Sequence, residues 1–208
     1  MKKLIFKIGI LCSYVVSFRI AQLFHSAFRK FYVGWLSREF ASIGDKVNWY
    51  PPVRTLRGGK YISIGNNVNI GKNVTLTAWD KYMSQFFSPE IRIGDNSSIG
   101  DDSHITAINK ILIGNNVRMG KKILITDNAH GASIHQLLDI SPNKRPLYSK
   151  GIVVIEDNVW IGEKSSIMPG VHVGHGSIIA ANSVVTKDIP PYCVAAGVPA
   201  VIVKKMDC

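Results

Sequence analysis

The last third of the chain repeats an aliphatic position every six residues. The repeated side chains are Ile155, Ile161, Ile167, Val173, Ile179 and Val185. A second position, four residues after each of the first five, holds small or β-branched side chains: Val159, Ser165, Val171, Ser177 and Ser183. A period of six is typical of a hexapeptide solenoid, in which short parallel strands stack coil upon coil around a narrow core. We expect positive φ angles at the turn residues Asn158, Gly162, Gly170, Gly174, Gly176 and Asn182.

The same period occurs earlier in the chain, with two interruptions. It includes Ile64, Ile70, Leu76, Ile93, Ile99, Ile105, Ile113, Met119 and Ile125. Residues 77–90 and 127–150 break it, and a solenoid accommodates such insertions as loops that often carry the binding site. The pattern therefore predicts a helical segment over residues 1–50, a solenoid domain over 51–203 with these two loops, and a tail over 204–208.

The segment before the solenoid is basic and apolar, and it predicts one or two helices over residues 2–33. Residues 1–60 hold nine of the chain's eleven net positive charges. The uncharged stretch at residues 8–18 is shorter than the ~20 residues of a membrane-spanning helix, and no convincing signal-peptide cleavage site follows it. Two alternatives stay open, an interfacial helix on anionic lipid and a helix that caps the first coil, and one helix could serve both roles. No nucleic-acid recognition motif occurs, so we expect no such partner.

The three cysteines lie far apart in the sequence, at Cys12, Cys193 and Cys208. No pair has the spacing of a metal knuckle or a disulfide framework. This composition favours a reducing compartment, and we expect a cytoplasmic protein, with peripheral contact at the inner face of the plasma membrane if the basic helices bind lipid.

The last fifty residues contain motifs of one enzyme family. They are Asn158-Val-Trp-Ile-Gly162, Ile167-Met-Pro-Gly-Val171, Ala180-Ala-Asn-Ser-Val-Val-Thr-Lys-Asp-Ile-Pro-Pro191 and Ala196-Gly-Val-Pro-Ala200. With them, residues 60–205 resemble the hexapeptide-repeat acyltransferases, in particular the sugar O-acetyltransferases of the colanic acid and capsular polysaccharide type. The resemblance implies a left-handed parallel β-helix, a homotrimer, and direct transfer from acetyl-CoA without an acyl-enzyme or a metal.

The resemblance also implies which residues bind the cosubstrate. Gly162, Ala180 and Ala181 correspond to the small residues along the pantetheine arm, and Thr186 and Lys187 lie further along the same path. Lys204 and Lys205 are candidates for the nucleotide phosphates. Glu163 stands where related enzymes often have a small hydroxyl residue, so the oxyanion donor would be a backbone N–H or another group.

Transfer to an alcohol requires a base that accepts the hydroxyl proton, and histidine titrates in the suitable range. His130 lies in an Asp127-x-x-His130-Gly131 sequence at the start of the second loop, a context similar to that of the base in this family. Asp127 or Asn128 would orient the ring, or else form an ordinary Asx turn. We interpret His104, His172 and His175 as surface residues.

The first loop offers candidates for saccharide binding, with the aromatic rings of Trp79 and Tyr82 and the carboxylate of Asp80. The alternative is a hydrophobic cluster that seals the trimer. Taken together, the sequence predicts an acetyl-CoA-dependent O-acetyltransferase of bacterial surface polysaccharide synthesis. Two other functions remain open, a γ-type carbonic anhydrase with three histidines on zinc and a non-catalytic hexapeptide scaffold.

Overall fold

The computed structural model describes residues 2–206. Three α-helices occur in this range: α1 (Lys2–Val15), α2 (Phe18–Leu36) and α3 (His135–Leu138). Short 3₁₀-helical turns lie at Ser37–Glu39, Gly59–Tyr61 and Pro142–Lys144. The rest of the ordered structure is built from short strands.

The strands are mostly two to four residues long. Those of the first half are β1 (Ser42–Ile43), β2 (Asn48–Trp49), β3 (Thr55–Arg57), β4 (Ile62–Ile64), β5 (Asn69–Ile70), β6 (Thr75–Ala78), β7 (Lys81–Tyr82), β8 (Gln85–Phe86), β9 (Glu90–Ile93), β10 (Ser98–Ile99), β11 (His104–Ala107) and β12 (Lys110–Ile113). Those of the second half are β13 (Arg118–Met119), β14 (Leu124–Thr126), β15 (Ala129–His130), β16 (Leu147–Tyr148), β17 (Val153–Ile155), β18 (Trp160–Ile161), β19 (Ser166–Ile167), β20 (His172–Val173), β21 (Ile178–Ile179), β22 (Val184–Val185), β23 (Cys193–Gly197) and β24 (Ala200–Lys205).

Three sheets form the sides of the solenoid, and successive strands of a coil join them in turn. Sheet A has the order β1-β4-β9-β12-β17-β20, sheet B the order β2-β5-β10-β13-β18-β21-β23-β24, and sheet C the order β22-β19-β14-β11-β6-β3. Pairing between coils is parallel throughout, and only β24 closes sheet B in the antiparallel direction. The left-handed parallel β-helix with an N-terminal helical segment is confirmed.

The six-residue period places its aliphatic side chains in the core, with Ile161, Ile167 and Val173 fully buried. The small position is buried as well, and it suits serine because the hydroxyl group reaches the backbone of a neighbouring coil. Ser165 Oγ donates to the Ala180 carbonyl at 2.9 Å, and Ser177 Oγ donates to the Pro190 carbonyl at 2.8 Å. The buried hydroxyl groups therefore carry no unsatisfied polar atom into the core.

The turn residues divide into two kinds. Asn158 and Asn182 have positive φ angles of 62° and 60°, as predicted. Gly162 and Gly174 do not, and the prediction of positive φ is wrong for these two. A Cβ atom on Gly162 would lie 2.5 Å from the Ala181 nitrogen, so the glycine is needed because the next coil passes too close for any side chain.

The N-terminal boundary differs from the expected one. The first solenoid strands, at Ser42 and Asn48, precede residue 51, because α2 ends at Leu36 and only a short turn separates it from the first coil. At the other end, Lys204 and Lys205 belong to β24 and not to a tail, since they pair with Val194 and Cys193. The last two residues of the expected tail, 207 and 208, lie outside the described residues, as does residue 1.

Helix α2 caps the first coil. Its Leu36 is buried in the core cluster, the Tyr32 hydroxyl group accepts a hydrogen bond from the Val53 N–H at 2.9 Å, and Arg29 Nε donates to Asn48 Oδ1 at 3.0 Å. Helix α1 buries none of its residues. Of the two alternatives for this segment, the cap is therefore realised by the second half of α2.

Between residues 2 and 206, no single helix has the length and hydropathy of a membrane span. Helix α1 and the segment Phe18–Glu39 meet that criterion only as a pair, with a bend of 87° between them.

Candidate active site

A pocket of about 260 Å³ opens on the outer face of sheet C, where the two predicted loops leave the solenoid. Its lining residues are Thr77, Trp79, Tyr82, His104, Thr106, Asn128, His130 and Leu147. The pocket therefore contains the predicted base together with two of the three residues predicted for substrate binding.

His130 stands on β15, which pairs antiparallel with β16 so that His130 faces Leu147. The side chain nearest to its imidazole comes from the first loop. The Tyr82 hydroxyl oxygen lies 3.5 Å from His130 Nδ1, at the limit of a hydrogen bond, and the two rings meet edge to face with centroids 5.6 Å apart. The same hydroxyl group donates to the Asn143 carbonyl at 3.0 Å, so Tyr82 of the first loop contacts the second loop at both His130 and Asn143.

The two loops are also tied by a reciprocal pair of hydrogen bonds. Gln85 Nε2 donates to the Leu147 carbonyl at 3.1 Å, and the Leu147 N–H donates to Gln85 Oε1 at 2.7 Å. Insertions that are 37 or more residues apart in sequence thus form one wall beside the base. The periodicity located both loops but contained no information about their contact.

Asp127 has a different role from the one considered for it. Its carboxylate is fully buried and accepts hydrogen bonds from the Ile108 N–H at 2.9 Å, the Asn109 N–H at 2.8 Å and Asn128 Nδ2 at 3.0 Å. Burial raises the pKa of this carboxyl group, against the lowering effect of these donors. Asp127 therefore fixes the start of the second loop to the preceding coil, and none of its hydrogen bonds within residues 2–206 reaches His130.

His104 is exposed, as the sequence interpretation expected, and it also lines the pocket. It opens β11, where it pairs with Thr75 and Leu124, and Thr106 lies two residues later on the same face. Burial lowers the pKa of His104, and the positive charge of Arg54 lowers it further. A strand register counted outward from Ile105 would have placed His104 and Thr106 on one face of sheet C.

The residues of the first loop that are predicted to bind substrate have different surroundings in the structure. The guanidinium group of Arg57 lies 3.7 Å from the centroid of the Trp79 ring, so one face of that ring is covered. Asp80 is not among the residues that line the pocket. Its carboxylate accepts from the Tyr61 hydroxyl group at 3.1 Å and pairs with Lys60 at 3.4 Å, and its pKa is lowered first by the Tyr61 hydrogen bond and also by Lys60.

The predicted cosubstrate residues lie in three places. Gly162, Ala180 and Ala181 line a groove of about 590 Å³ at the corner that follows sheet B, together with Arg118 and Trp160. Glu163 lines the same groove. Thr186 and Lys187 are exposed and follow β22, whereas Ala181 precedes that strand. Lys204 and Lys205 are exposed on β24.

The comparisons with known proteins agree with this architecture. A family model described as bacterial transferase hexapeptide (six repeats) matches residues 152–187, and one described as hexapeptide repeat of succinyl-transferase matches residues 61–77. WbbJ of Escherichia coli K12, a putative lipopolysaccharide biosynthesis O-acetyl transferase, is 36% identical over 160 residues, which cover 76% of this chain and 81% of WbbJ. The chain belongs to the hexapeptide-repeat acetyltransferases.

Two further proteins of this kind are similar to the chain. The galactoside O-acetyltransferase of E. coli K12 is 34% identical over 168 residues, covering 81% of this chain and 65% of that protein. A crystal structure of the S84T mutant of AntD, an N-acyltransferase from Bacillus cereus in complex with dTDP and coenzyme A, has a TM-score of 0.66 and 21% identity. It covers 82% of this chain and 86% of AntD. At that identity AntD supports the fold alone.

The zinc alternative places its three histidines between subunits, so that one chain supplies only part of the ligand set. Within residues 2–206 no three His, Cys, Asp or Glu side chains are grouped closely enough to hold a metal ion. His104 and His130 share the pocket, but His135 begins α3 and is not among the lining residues. The relatives WbbJ and galactoside O-acetyltransferase are acetyltransferases. The chain is therefore an acetyltransferase and not a carbonic anhydrase or a non-catalytic scaffold.

Proposed function

We propose that this enzyme transfers the acetyl group of acetyl-CoA to a hydroxyl group of a saccharide during the synthesis of a bacterial surface polysaccharide. The observation that carries the proposal is the pocket in which His130 lies beside Tyr82, Thr77 and Thr106 at the edge of the solenoid. The relation to WbbJ and to galactoside O-acetyltransferase supports a carbohydrate acceptor and O-transfer.

In the proposed reaction the acceptor hydroxyl group lies against His130. The imidazole takes the hydroxyl proton while the oxygen attacks the thioester carbonyl carbon, which gives a tetrahedral oxyanion. The carbon–sulfur bond then breaks, the acetyl ester remains on the saccharide, and the CoA thiolate receives the proton from the imidazolium. Tyr82 holds the imidazole against rotation through the Asn143 carbonyl, and it is therefore a positioning residue.

The donor for the oxyanion comes from a backbone N–H or from a neighbouring copy in this proposal, because Glu163 supplies no hydroxyl group. His104 and the Thr77–Thr106 pair, whose hydroxyl oxygens are 2.9 Å apart, face the pocket and would contact the acceptor sugar. The lowered pKa of His104 favours the uncharged imidazole, which can both donate and accept a hydrogen bond.

The position of the cosubstrate groove supports a trimer with shared sites. Gly162 and Ala181 lie just before the sheet C strands β19 and β22, whereas His130 lies just after the sheet C strand β14. Within one chain the groove and the base therefore lie at opposite ends of the same sheet. A groove contributed by one subunit and a base contributed by its neighbour would bring both to one thioester.

Helices α1 and α2 support peripheral contact with an anionic membrane. The exposed side chains of Phe24, Phe28, Phe31 and Trp35 recur at spacings of four, three and four, so they share one face of α2. Leu36, Tyr32 and Arg29, which contact the solenoid, are on another face of the same helix. No Asp or Glu occurs before Glu39, so this surface is cationic throughout.

A lipid surface fits these helices better than a second copy of the same helices would. Two identical surfaces that carry only positive charge repel each other, while anionic headgroups attract them and the aromatic side chains insert at the interface. Acetyl-CoA is a cytoplasmic metabolite, so we place the enzyme at the inner face of the plasma membrane.

The test is a direct assay of the purified protein with acetyl-CoA and a panel of free, nucleotide-linked and lipid-linked sugars, followed by CoA thiol release and by the mass of the acetylated product. We expect a product that gains one acetyl ester and is deacetylated by mild base. An alkali-stable amide product, or hydrolysis of acetyl-CoA that no saccharide accelerates, would contradict O-transfer.

A further inference from the structure

Two exposed arginine side chains lie on the first coil, which α2 contacts and which precedes the coils that carry the pocket. Arg57 ends β3, the sheet C strand of the first coil, and its guanidinium group lies over Trp79 of the pocket wall. Arg54 precedes the same strand, and its charge is close enough to His104 to lower the pKa of that histidine. Both residues are exposed.

Neither arginine has an acidic partner. Within residues 2–206 the ion pairs of Lys and Arg side chains are Lys60–Asp80, Arg92–Glu90, Lys110–Glu90 and Lys121–Asp101. Lys60, a basic residue near the pocket wall, pairs with Asp80, whereas neither guanidinium group has such a pair among these four. Unpaired arginines at the rim of a pocket are suited to phosphate groups, which they bind through parallel N–H···O hydrogen bonds.

Along the solenoid axis the arginines belong to the first coil, and the pocket lies on the coils that follow it. Strands of one sheet are spaced by about 4.8 Å, so Thr77 on β6 lies one strand and Thr106 on β11 two strands beyond Arg57, that is, within about 10 Å along the axis. Helix α2 contacts the same first coil through Asn48 and Val53. A ligand that enters from the helix side would therefore meet Arg54 and Arg57 before its far end reached His104 and His130.

We infer that the acceptor is a saccharide joined through a phosphate or diphosphate to a lipid: the helices hold the lipid surface, Arg54 and Arg57 bind the phosphate oxygens, and the sugar reaches His130. The inference rests on the proposed O-acetyl transfer and on the proposed membrane contact. A nucleotide diphosphate sugar offers the same phosphates to the arginines. Only the lipid-linked form also uses α1 and the aromatic face of α2, and this favours the lipid as the carrier.

The experiment compares three forms of each sugar with the full-length protein: the free sugar, its nucleotide diphosphate, and its polyprenyl diphosphate in vesicles that contain phosphatidylglycerol. CoA thiol release gives kcat/KM for each form. We expect the polyprenyl diphosphate to exceed the free sugar by about tenfold or more, because charged hydrogen bonds to phosphate are each worth about one order of magnitude in affinity.

Two sets of substitutions separate the arginines from the helices. The double variant Arg54→Gln/Arg57→Gln should lose about tenfold in kcat/KM on both diphosphate acceptors relative to the free sugar, while Arg54→Lys/Arg57→Lys retains part of the gain. Phe24→Ser/Phe31→Ser should lose rate only on the vesicle-bound acceptor. Arg92→Gln and Ile152→Ser, which alter an exposed arginine of sheet A and an exposed aliphatic residue, serve as matched controls.

The outcomes are distinct. Equal kcat/KM for free and diphosphate-linked sugar would overturn the inference and leave O-acetyl transfer intact. Preference for the nucleotide sugar, with no effect of the helix substitutions, would overturn the lipid carrier. Absence of thiol release with every acceptor would remove the proposed function and this inference with it.

Discussion

Within residues 2–206 the imidazole of His130 has one hydrogen-bonding neighbour, the Tyr82 hydroxyl group. Replacing His130 by Ala removes the proposed base but touches neither the core nor the Gly162 groove. We expect kcat to fall by about 10²–10⁴ with little change in acetyl-CoA affinity, as is usual when a general base is lost. Steady-state kinetics and calorimetric titration of CoA measure the two quantities.

The matched control for that variant is His172→Ala. His172 is also exposed, and within residues 2–206 its imidazole also has one polar partner, the Glu156 carboxylate at 2.7 Å, but it lies on sheet A, away from the pocket. Loss of turnover in both variants would indicate a general effect on the fold, and turnover retained in the His130 variant would contradict its assignment.

Asp127 should affect stability more than chemistry. In the wild type, the two carboxylate oxygens of Asp127 accept from two backbone N–H groups. Asp127→Asn replaces one of these oxygens by an amide N–H₂ group, which cannot accept. We therefore expect the free energy of unfolding to fall by about 1–3 kcal/mol. Denaturant titration measures this loss, with Asp139→Asn on the exposed side of the second loop as control. A shifted pH optimum of turnover at unchanged stability would instead show that Asp127 acts on the base.

His104 predicts a specific dependence of stability on pH. Because its pKa is lowered in the folded chain, the unfolded chain binds the proton more readily, and the free energy of unfolding falls as the pH drops below the ordinary histidine pKa of about 6.5. His104→Gln should lose less stability than the wild type between pH 7.5 and pH 5. Melting temperatures at the two pH values test this, with His135→Gln, exposed on α3, as the control.

At the scale of elements, the solenoid could be predicted from the sequence because each coil repeats the same physical requirement. An inward aliphatic residue and a small corner residue recur every six positions. A coil in which one position departs from the pattern is therefore still identified from the coils beside it. The loops have no such repetition. The bonds between Gln85 and Leu147 join backbone to side chain across 62 residues, and no local pattern specifies them.

The same contrast explains the site residues. His130 is predicted as the base because its neighbours in sequence resemble a family motif, and its place in the pocket follows from the coil edge. His104 belongs to no such motif, and it entered the pocket through parallel pairing with Thr75 and Leu124 on adjacent coils. Asp80 has the chemistry of a sugar ligand, but a neighbouring lysine and tyrosine hold its carboxylate elsewhere.

The helix pair gives a prediction at the element scale. Full-length protein should sediment with phosphatidylglycerol vesicles at low salt and less with phosphatidylcholine vesicles, since each basic residue near an anionic surface contributes about 1 kcal/mol. Added salt should release it because screening shortens the range of the attraction. Protein found in the supernatant with anionic vesicles at low salt would contradict the membrane contact and leave α2 with the capping role alone.

The variant for this test follows from the contacts of α2. A chain that begins at residue 41 would lose Leu36 and Phe40 from the core cluster and uncover Trp49, so a loss of lipid binding could not be told from unfolding. Removing residues 1–16 keeps α2 with its N-cap Ser17 and deletes only a helix that buries nothing. Its melting temperature should stay close to that of the wild type while vesicle binding weakens.

At the scale of the whole molecule, we expect assembly to be a condition for activity, because the proposed base and the proposed cosubstrate groove are separated within one chain. Within one chain, His130 follows the sheet C strand β14, whereas Gly162 precedes the sheet C strand β19. A monomer would therefore present two separate half-sites. We expect light scattering to give three times the 22.9 kDa mass of the chain. A stable, fully active monomer would contradict the shared site.

Mixed assemblies test the sharing itself. His130→Ala lacks the base, and Ala181→Trp fills the groove with an indole, so each variant alone should be inactive. When the two are unfolded together and refolded, some interfaces pair the intact base of one subunit with the intact groove of its neighbour, and activity should return. The control mixes the two variants after separate refolding, so that no subunits exchange. Activity that fails to return in co-refolded trimers, although both variants assemble normally, would place base and groove of each working site within the same chain.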